Sequence, residues 1–187
     1  MNIFVLDRDP KVAARFHCNK HVVKMILESG QMLCAAHWTH LLKRSQKSLK
    51  DFKRVRDAQH WLYENTEKKL QPPWKMSHTR HPCTLWTAET VSNYYWHLSL
   101  GESLLREYTD RYKKHHKSEV VLEWLRENIP VDILDEPLTE FPQCVPDDCK
   151  VDGDAPSAYK KYYIGYKSHF AKWEPRATTP AWYREGI

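Results

Sequence analysis

From Asp9 to about Leu41 the chain carries a helical pattern that is apolar round most of its circumference. A helix of that kind has to lie inside the molecule, with other elements packed round it. Asp9-Pro10 gives a strong start, Asp as N-cap and Pro at the first helical position. Apolar residues then recur at helical spacing through Val12, Phe16, Val23, Ile26, Leu33 and Leu41. Five of the six residues 22–27 are apolar, and residues 32–36 are apolar throughout. One continuous helix is expected, ending around residues 43–48.

The rest of the chain follows the same period. A second helix is predicted over 49–70, with Phe52, Val55, Trp61 and Leu62 inward and Pro72-Pro73 as its stop. Residues 71–82 read as a loop, and Pro82 opens a third helix over about 83–113. A fourth follows Ser118 over 119–127. Residues 129–154, with four prolines among many carboxylates, read as irregular. Asp154-Ala155-Pro156 caps a last helix reaching to about Lys172, and the tail from Trp173 packs across the body. Residues 3–6 form a short strand or an extended lead-in. With no repeat and no alternation of strand and helix, the expected fold class is all-α: a compact single-domain bundle of about five helices over residues 1–187, with at most one short N-terminal strand.

No apolar run is long enough to span a bilayer, and the acidic start lacks the features of a secretory signal. The five Cys are odd in number and contain no C-x-x-C. Reduced thiols in a cytoplasmic protein are the expectation, with Cys18 and Cys34 as small core residues. G-x-G-x-x-G, the phosphate-binding G-x-x-x-x-G-K, G-x-S-x-G and H-E-x-x-H are all absent. His17/His21 and His37/His40 have helical ligand spacing but no evident third ligand, so neither a metal nor another cofactor is expected.

Three constellations remain. On the first helix His17, His21, Lys24, Glu28 and Gln31 are spaced four, three, four and three apart and form one polar stripe, with Lys20 beside it. The stripe is either a solvated face or the floor of a cleft. In a cleft, a desolvated Lys24 or Lys20 would serve as nucleophile, and Glu28 and His21 as acid and base. Second, His78, Arg80 and His81 precede a helix N-terminus, where a phosphate is favoured; Trp86 follows, and Asn93 could read a base edge. Third, Lys160, Lys161, Lys167, Lys172, Arg176 and Trp182 interleave with tyrosines in a run suited to polyanions and stacked bases. The net charge of +5 leans the same way.

The opening residues 2–7, the segment Asn19-Lys20-His21-Val22-Val23-Lys24-Met25-Ile26-Leu27-Glu28, His81-Pro82 with Trp86, and the ending from Tyr162-Tyr163 to Pro180-x-Trp182-Tyr183 resemble a family of small uncharacterised proteins of tailed phages. More remotely the layout resembles the phage pyrimidine-dimer DNA glycosylases of the endonuclease V type. That resemblance implies a helical DNA-repair enzyme whose catalytic carboxylate corresponds to Glu28 and whose aromatic ending corresponds to Pro180-x-Trp182-Tyr183. The glycosylases use the amino group of a small N-terminal residue. Asn2 departs from this, so a Schiff base would fall to Lys24 or Lys20.

Three readings follow. The chain is a glycosylase with lyase activity on a pyrimidine flipped out of double-stranded DNA, a transferase that modifies phage DNA bases, or a non-catalytic binder of DNA or of a host protein.

Overall fold

The computed structural model describes residues 2–186. Among them all regular structure is helical: eight α-helices, short 3₁₀ turns and one π-turn, with a lone parallel bridge between Thr90 and Leu134 in place of a sheet. The all-α expectation holds. Of the two readings of residues 3–6, no strand forms; residues 2–6 are a buried lead-in without regular structure, turned at Phe4.

The first helix departs most from the sequence pattern. It is two helices, α1 (Pro10–Phe16) and α2 (Asn19–Arg44), separated by extended backbone at His17 and Cys18. α1 starts as expected, with Asp9 Oδ1 accepting from the Lys11 amide at 2.8 Å. The break is fixed from outside. The Asn19 amide donates to the Lys172 carbonyl at 2.8 Å, and Trp173 Nε1 donates to the Phe16 carbonyl at 3.1 Å. The Arg111 guanidinium takes the carbonyls of Arg15 and His17. Backbone groups freed by the break thus find partners distant in sequence.

α2 runs 26 residues, about 39 Å, and is the buried rod the pattern demanded. α5 (Val91–Tyr112) packs along α1 and α2, and α6 (Glu119–Glu127) returns against α5 and α2. Two positions without side chains set the spacing. A Cβ on Gly101 would sit 3.2 Å from Leu122, and one on Gly30 would come within 2.6 Å of the Trp74 ring. A main core forms around Ile26, Leu33, Tyr94, Leu100, Tyr159 and Trp173. A smaller one joins Trp38, Leu41 and Leu42 to Ala58 and Leu62 of α3 (Val55–Asn65).

The other corrections have similar causes. The helix expected over 49–70 is the 3₁₀ turn Leu49–Asp51, α3, and a second turn Lys68–Leu70. The helix expected over 83–113 divides at residues 88–90 into α4 (Pro82–Thr87) and α5, because Thr90 caps α5, its Oγ1 accepting from the Asn93 amide at 3.1 Å. α7 (Ala155–Tyr162) ends in the π-turn Tyr163–Lys167 well before residue 172, and α8 (Ala181–Arg184) closes the tail. Residues 129–154 are irregular except for the turn Asp147–Cys149.

Candidate functional site

The first three turns of α2 present Lys20, His21, Lys24 and Glu28 towards a recess of about 390 Å³. The segment after α7 supplies Tyr162, Lys167 and Phe170 as the opposite wall, and the N-terminal lead-in supplies Asn2 and Phe4. The polar stripe is therefore the side of a cavity over this stretch. His17 does not belong to it: it caps the end of α1, is fully buried, and bonds the Ala13 carbonyl through Nδ1 at 2.7 Å.

Glu28 is the carboxylate of the recess and is only 6% exposed. Its Oε2 accepts from the Asn2 amide at 3.1 Å, and its Oε1 pairs with Lys24 Nζ at 3.1 Å. The Lys24 side chain is 64% exposed, so the desolvation expected of it is absent; it lies at the mouth and reaches in. His21 is buried, with Nδ1 hydrogen-bonded to the Tyr163 hydroxyl. Burial, reinforced by His17 and by Lys167, Lys24 and Lys20, pushes its pKa down to about 2. At neutral pH His21 is an uncharged hydrogen-bonding ring and a weak base, which narrows the acid–base role expected for it.

The walls are aromatic and the rim cationic. The Phe4 ring lies 4.3 Å from His21 and parallel to Tyr162, 9° between planes. Lys167 Nζ stands 4.4 Å above Tyr162, and Lys20 Nζ 5.1 Å from the Phe170 centroid. Phe4 holds φ at +40°, in the left-handed region that a bulky residue avoids. Its amide and that of Ile3 both donate to Asn2 Oδ1, at 3.3 and 2.8 Å, which keeps the lead-in in that shape. Backbone held there against its preference is found where a site is shaped. An open groove lined by Tyr112, His169 and Lys172 continues from the recess and shares Lys20 and Phe170 with it.

No protein-family model, curated protein or solved structure matches this chain.

The remaining sequence-derived site residues scatter. Lys160 is half-buried, its Nζ 5.8 Å from the Phe16 ring and 5.9 Å from Trp182. Trp182 itself is half-buried and makes edge-to-face contacts with Phe16, Tyr163, Trp173 and Tyr183. Lys161 and Arg176 are exposed; Arg176 stacks on Tyr112 at 4.6 Å. His78 and Arg80 are exposed on the loop before α4, and Arg80 faces a different recess with Lys47 and Leu85. Two assignments are corrected outright. Trp86 is buried against Trp96 and Phe141. Asn93 is fully buried and donates to the Trp86 carbonyl and Thr139 while accepting from the Thr139 amide. Both hold the core together and cannot reach a base.

The pattern did not anticipate Asn2 as a wall of the recess, nor Phe4 and Phe170. It also treated His81 as a phosphate ligand. His81 instead caps α4, its Nδ1 accepting from the Cys83 amide at 3.2 Å. Cys83 Sγ lies 3.5 Å from Cys144 Sγ, and this hydrogen bond lowers the Cys144 thiol to about 7. A second recess, about 410 Å³ between α5 and α6, is lined by charges of both signs that pair with one another, as Arg126 does with Glu102 at 3.4 Å. It holds no comparable meeting of a buried carboxylate with aromatic walls.

Proposed function

We propose that the recess beside Glu28 receives a pyrimidine turned out of a DNA duplex and that the chain cleaves its glycosidic bond, as a glycosylase with lyase activity. The observation that carries this reading is the meeting, in one recess of about 390 Å³, of a buried carboxylate, an amine 3.1 Å from it, and aromatic walls under a rim of lysines. The volume lies in the range of small-ligand sites. Aromatic faces accept a flipped base by stacking, and Lys20, Lys167 and Lys172, which line the recess and the adjoining groove, would hold flanking phosphates.

The chemistry follows from the pair. Glu28 takes a proton from Lys24, and the freed amine adds to C1′ of the nucleotide. The C1′–N bond breaks, its electrons leave with the base, and a proton from the medium neutralises it. The Lys24 nitrogen loses a proton, and Glu28 hands its own to the ring oxygen O4′ as the C1′–O4′ bond breaks and the sugar opens to an imine on Lys24. Loss of a C2′ proton then expels the 3′ phosphate, and water hydrolyses the imine to free Lys24. Glu28, fixed by the Asn2 amide, stays aligned throughout.

One observation favours a second reading, a non-covalent DNA-binding domain: the exposure of Lys24, which leaves its ammonium in contact with water. Borohydride reduction on DNA with an abasic site separates the two. The glycosylase–lyase reading expects a covalent adduct that is lost in Lys24→Ala and Glu28→Gln and retained in Lys161→Ala. DNA binding without any adduct, or an adduct that survives Lys24→Ala, would defeat it.

A further inference from the structure

Beyond the recess, the side chains of greatest chemical interest are His81, Cys83 and Cys144. The two cysteines stand 61 residues apart in sequence, one in the first turn of α4 and the other in the irregular segment before α7. Their ligating atoms and that of His81 all lie within 4.8 Å of one another. Cys83 is fully buried, and Cys144 and His81 are half-buried.

The spacing discriminates between the two things a cysteine pair can do. A disulfide needs the sulfurs at about 2.05 Å, so this pair would have to close by roughly 1.5 Å. Two thiolates on a tetrahedral zinc, each at about 2.3 Å from the ion, stand about 3.8 Å apart. The observed 3.5 Å is within a few tenths of an ångström of that edge. A nitrogen ligand is then required on the same side, and His81 provides one. Its Nδ1 accepts from the Cys83 amide at 3.2 Å, which ties the ring to the first turn of α4 beside the thiols.

We infer that His81, Cys83 and Cys144 form a site for one thiophilic divalent cation of the zinc class. Two cysteines and a histidine are a soft-to-borderline set that selects zinc over magnesium or calcium. They fill three corners of a tetrahedron and leave the fourth to solvent.

The surroundings already hold two of the ligands in place. The Asn2 side-chain amide donates to the Cys144 carbonyl at 2.8 Å, and Asn2 Oδ1 lies 3.9 Å from Cys83 Sγ. The Tyr159 hydroxyl accepts from the Cys144 amide at 3.2 Å and donates to the Pro142 carbonyl at 2.8 Å. Supporting bonds of this kind orient metal ligands. Asn2 also binds Glu28 through its main-chain amide, so an ion here would brace the lead-in that walls the recess. The inference stands on the ligand geometry and is independent of what the recess does.

The test uses the full chain, purified under reducing conditions, stripped with chelator and reloaded with zinc or cobalt(II). One equivalent of zinc per chain by elemental analysis is expected. Cobalt should give a sulfur-to-metal charge-transfer band and intense tetrahedral d–d bands. Cys144→Ser, a near-isosteric change at a half-buried position, should lower zinc affinity by more than the roughly 10–100-fold typical of losing a supporting contact. His81→Ala should do likewise, and His78→Ala, on the exposed loop beside it, should change nothing. Circular dichroism of each variant establishes that it is folded. A reduced chain that stays metal-free in excess zinc overturns the inference. So does zinc binding unchanged in Cys144→Ser, or a Cys83–Cys144 disulfide forming in air at a rate that zinc does not slow.

Discussion

Arg111 offers the sharpest test of how this fold is held. It lies in the last turn of α5, and its side chain is 2% exposed. Nη2 and Nε reach Glu107 Oε2 at 2.7 and 3.0 Å. Nη1 donates to the His17 carbonyl at 2.8 Å and to Asn19 Oδ1 at 3.3 Å, and Nη2 to the Arg15 carbonyl at 3.0 Å. One guanidinium therefore satisfies the backbone where α1 stops and α2 begins. Arg111→Met keeps most of the buried stem but takes the guanidinium donor from a carboxylate, two main-chain carbonyls and the Asn19 amide oxygen. Removing one partner of a buried ion pair costs about 3–5 kcal/mol. Glu107 is 19% exposed and recovers some water, so the lower end, about 3 kcal/mol, is expected. At about 2–4 °C per kcal/mol for a chain of this size, the melting temperature should fall by about 6–12 °C. Urea titration followed by tryptophan fluorescence, with a parallel thermal melt, measures both. Arg106→Met, on the same helix but exposed and bonded to Ser103 at 2.9 Å, is the reference and should cost less than about 0.5 kcal/mol. Equal losses in the two variants would refute the account of the α1–α2 break.

Three further outcomes are expected. Burial holds His17, His21, His37 and His97 neutral, with pKa values of about 4, 2, 4 and 3, whereas in the unfolded chain each titrates near 6.5. Below pH 6.5 the unfolded state binds the extra protons, so stability present above that value is lost as pH falls, at up to about 1.4 kcal/mol per unit for each histidine. Cooperative unfolding between about pH 4 and 6 should appear by circular dichroism, and constant stability from pH 7 to 5 would contradict it. Replacing Lys20, Lys167 and Lys172 together by alanine should weaken duplex binding and reduce the slope of log K against log salt by about 3. The same loss from replacing Lys113, Lys114 and Lys117 instead would place the DNA surface elsewhere. Gly30→Ala should cost about 1–3 kcal/mol, because its Cβ would meet the Trp74 ring, and the cost should vanish in a Trp74→Ala background.

The sequence made the central rod legible because burial of α2 is written in its own composition: a helix apolar on nearly every side has one place to go. The caps were legible for the same local reason. Asp9, Thr90 and Asp154 each accept from an amide two or three residues on, a bond that spacing reveals, although Thr90 was passed over inside a longer pattern. The break at His17 and Cys18 was not legible. Neither residue is Pro or Gly, and what stops α1 is Arg111, nearly a hundred residues away, with Lys172 and Trp173 from the tail. Helical period reports which side of a segment is apolar; it carries no information about a partner that arrives from elsewhere to take its carbonyls.

The same distinction governs the site. Lys20, His21, Lys24 and Glu28 were found because α2 itself sets their spacing, and the structure brings all four to one recess. Trp86 and Asn93 were misplaced because residue type was read as exposure. A Trp and an Asn suit a base-reading surface, yet they suit equally a core in which an amide ties a loop to a helix, as Asn93 ties Thr139 to α5. Cys83 and Cys144 were passed over for the opposite reason, since a pair divided by most of the fold has no spacing to recognise. Chemistry assembled within one helix is visible from sequence, and chemistry assembled across elements becomes visible only when the chain is folded. On that argument the two cysteines and His81 are the part of this molecule whose role a residue pattern was least able to disclose, and Asn2, bonded to Glu28 on one side and to Cys144 on the other, makes their state a matter for the recess as well.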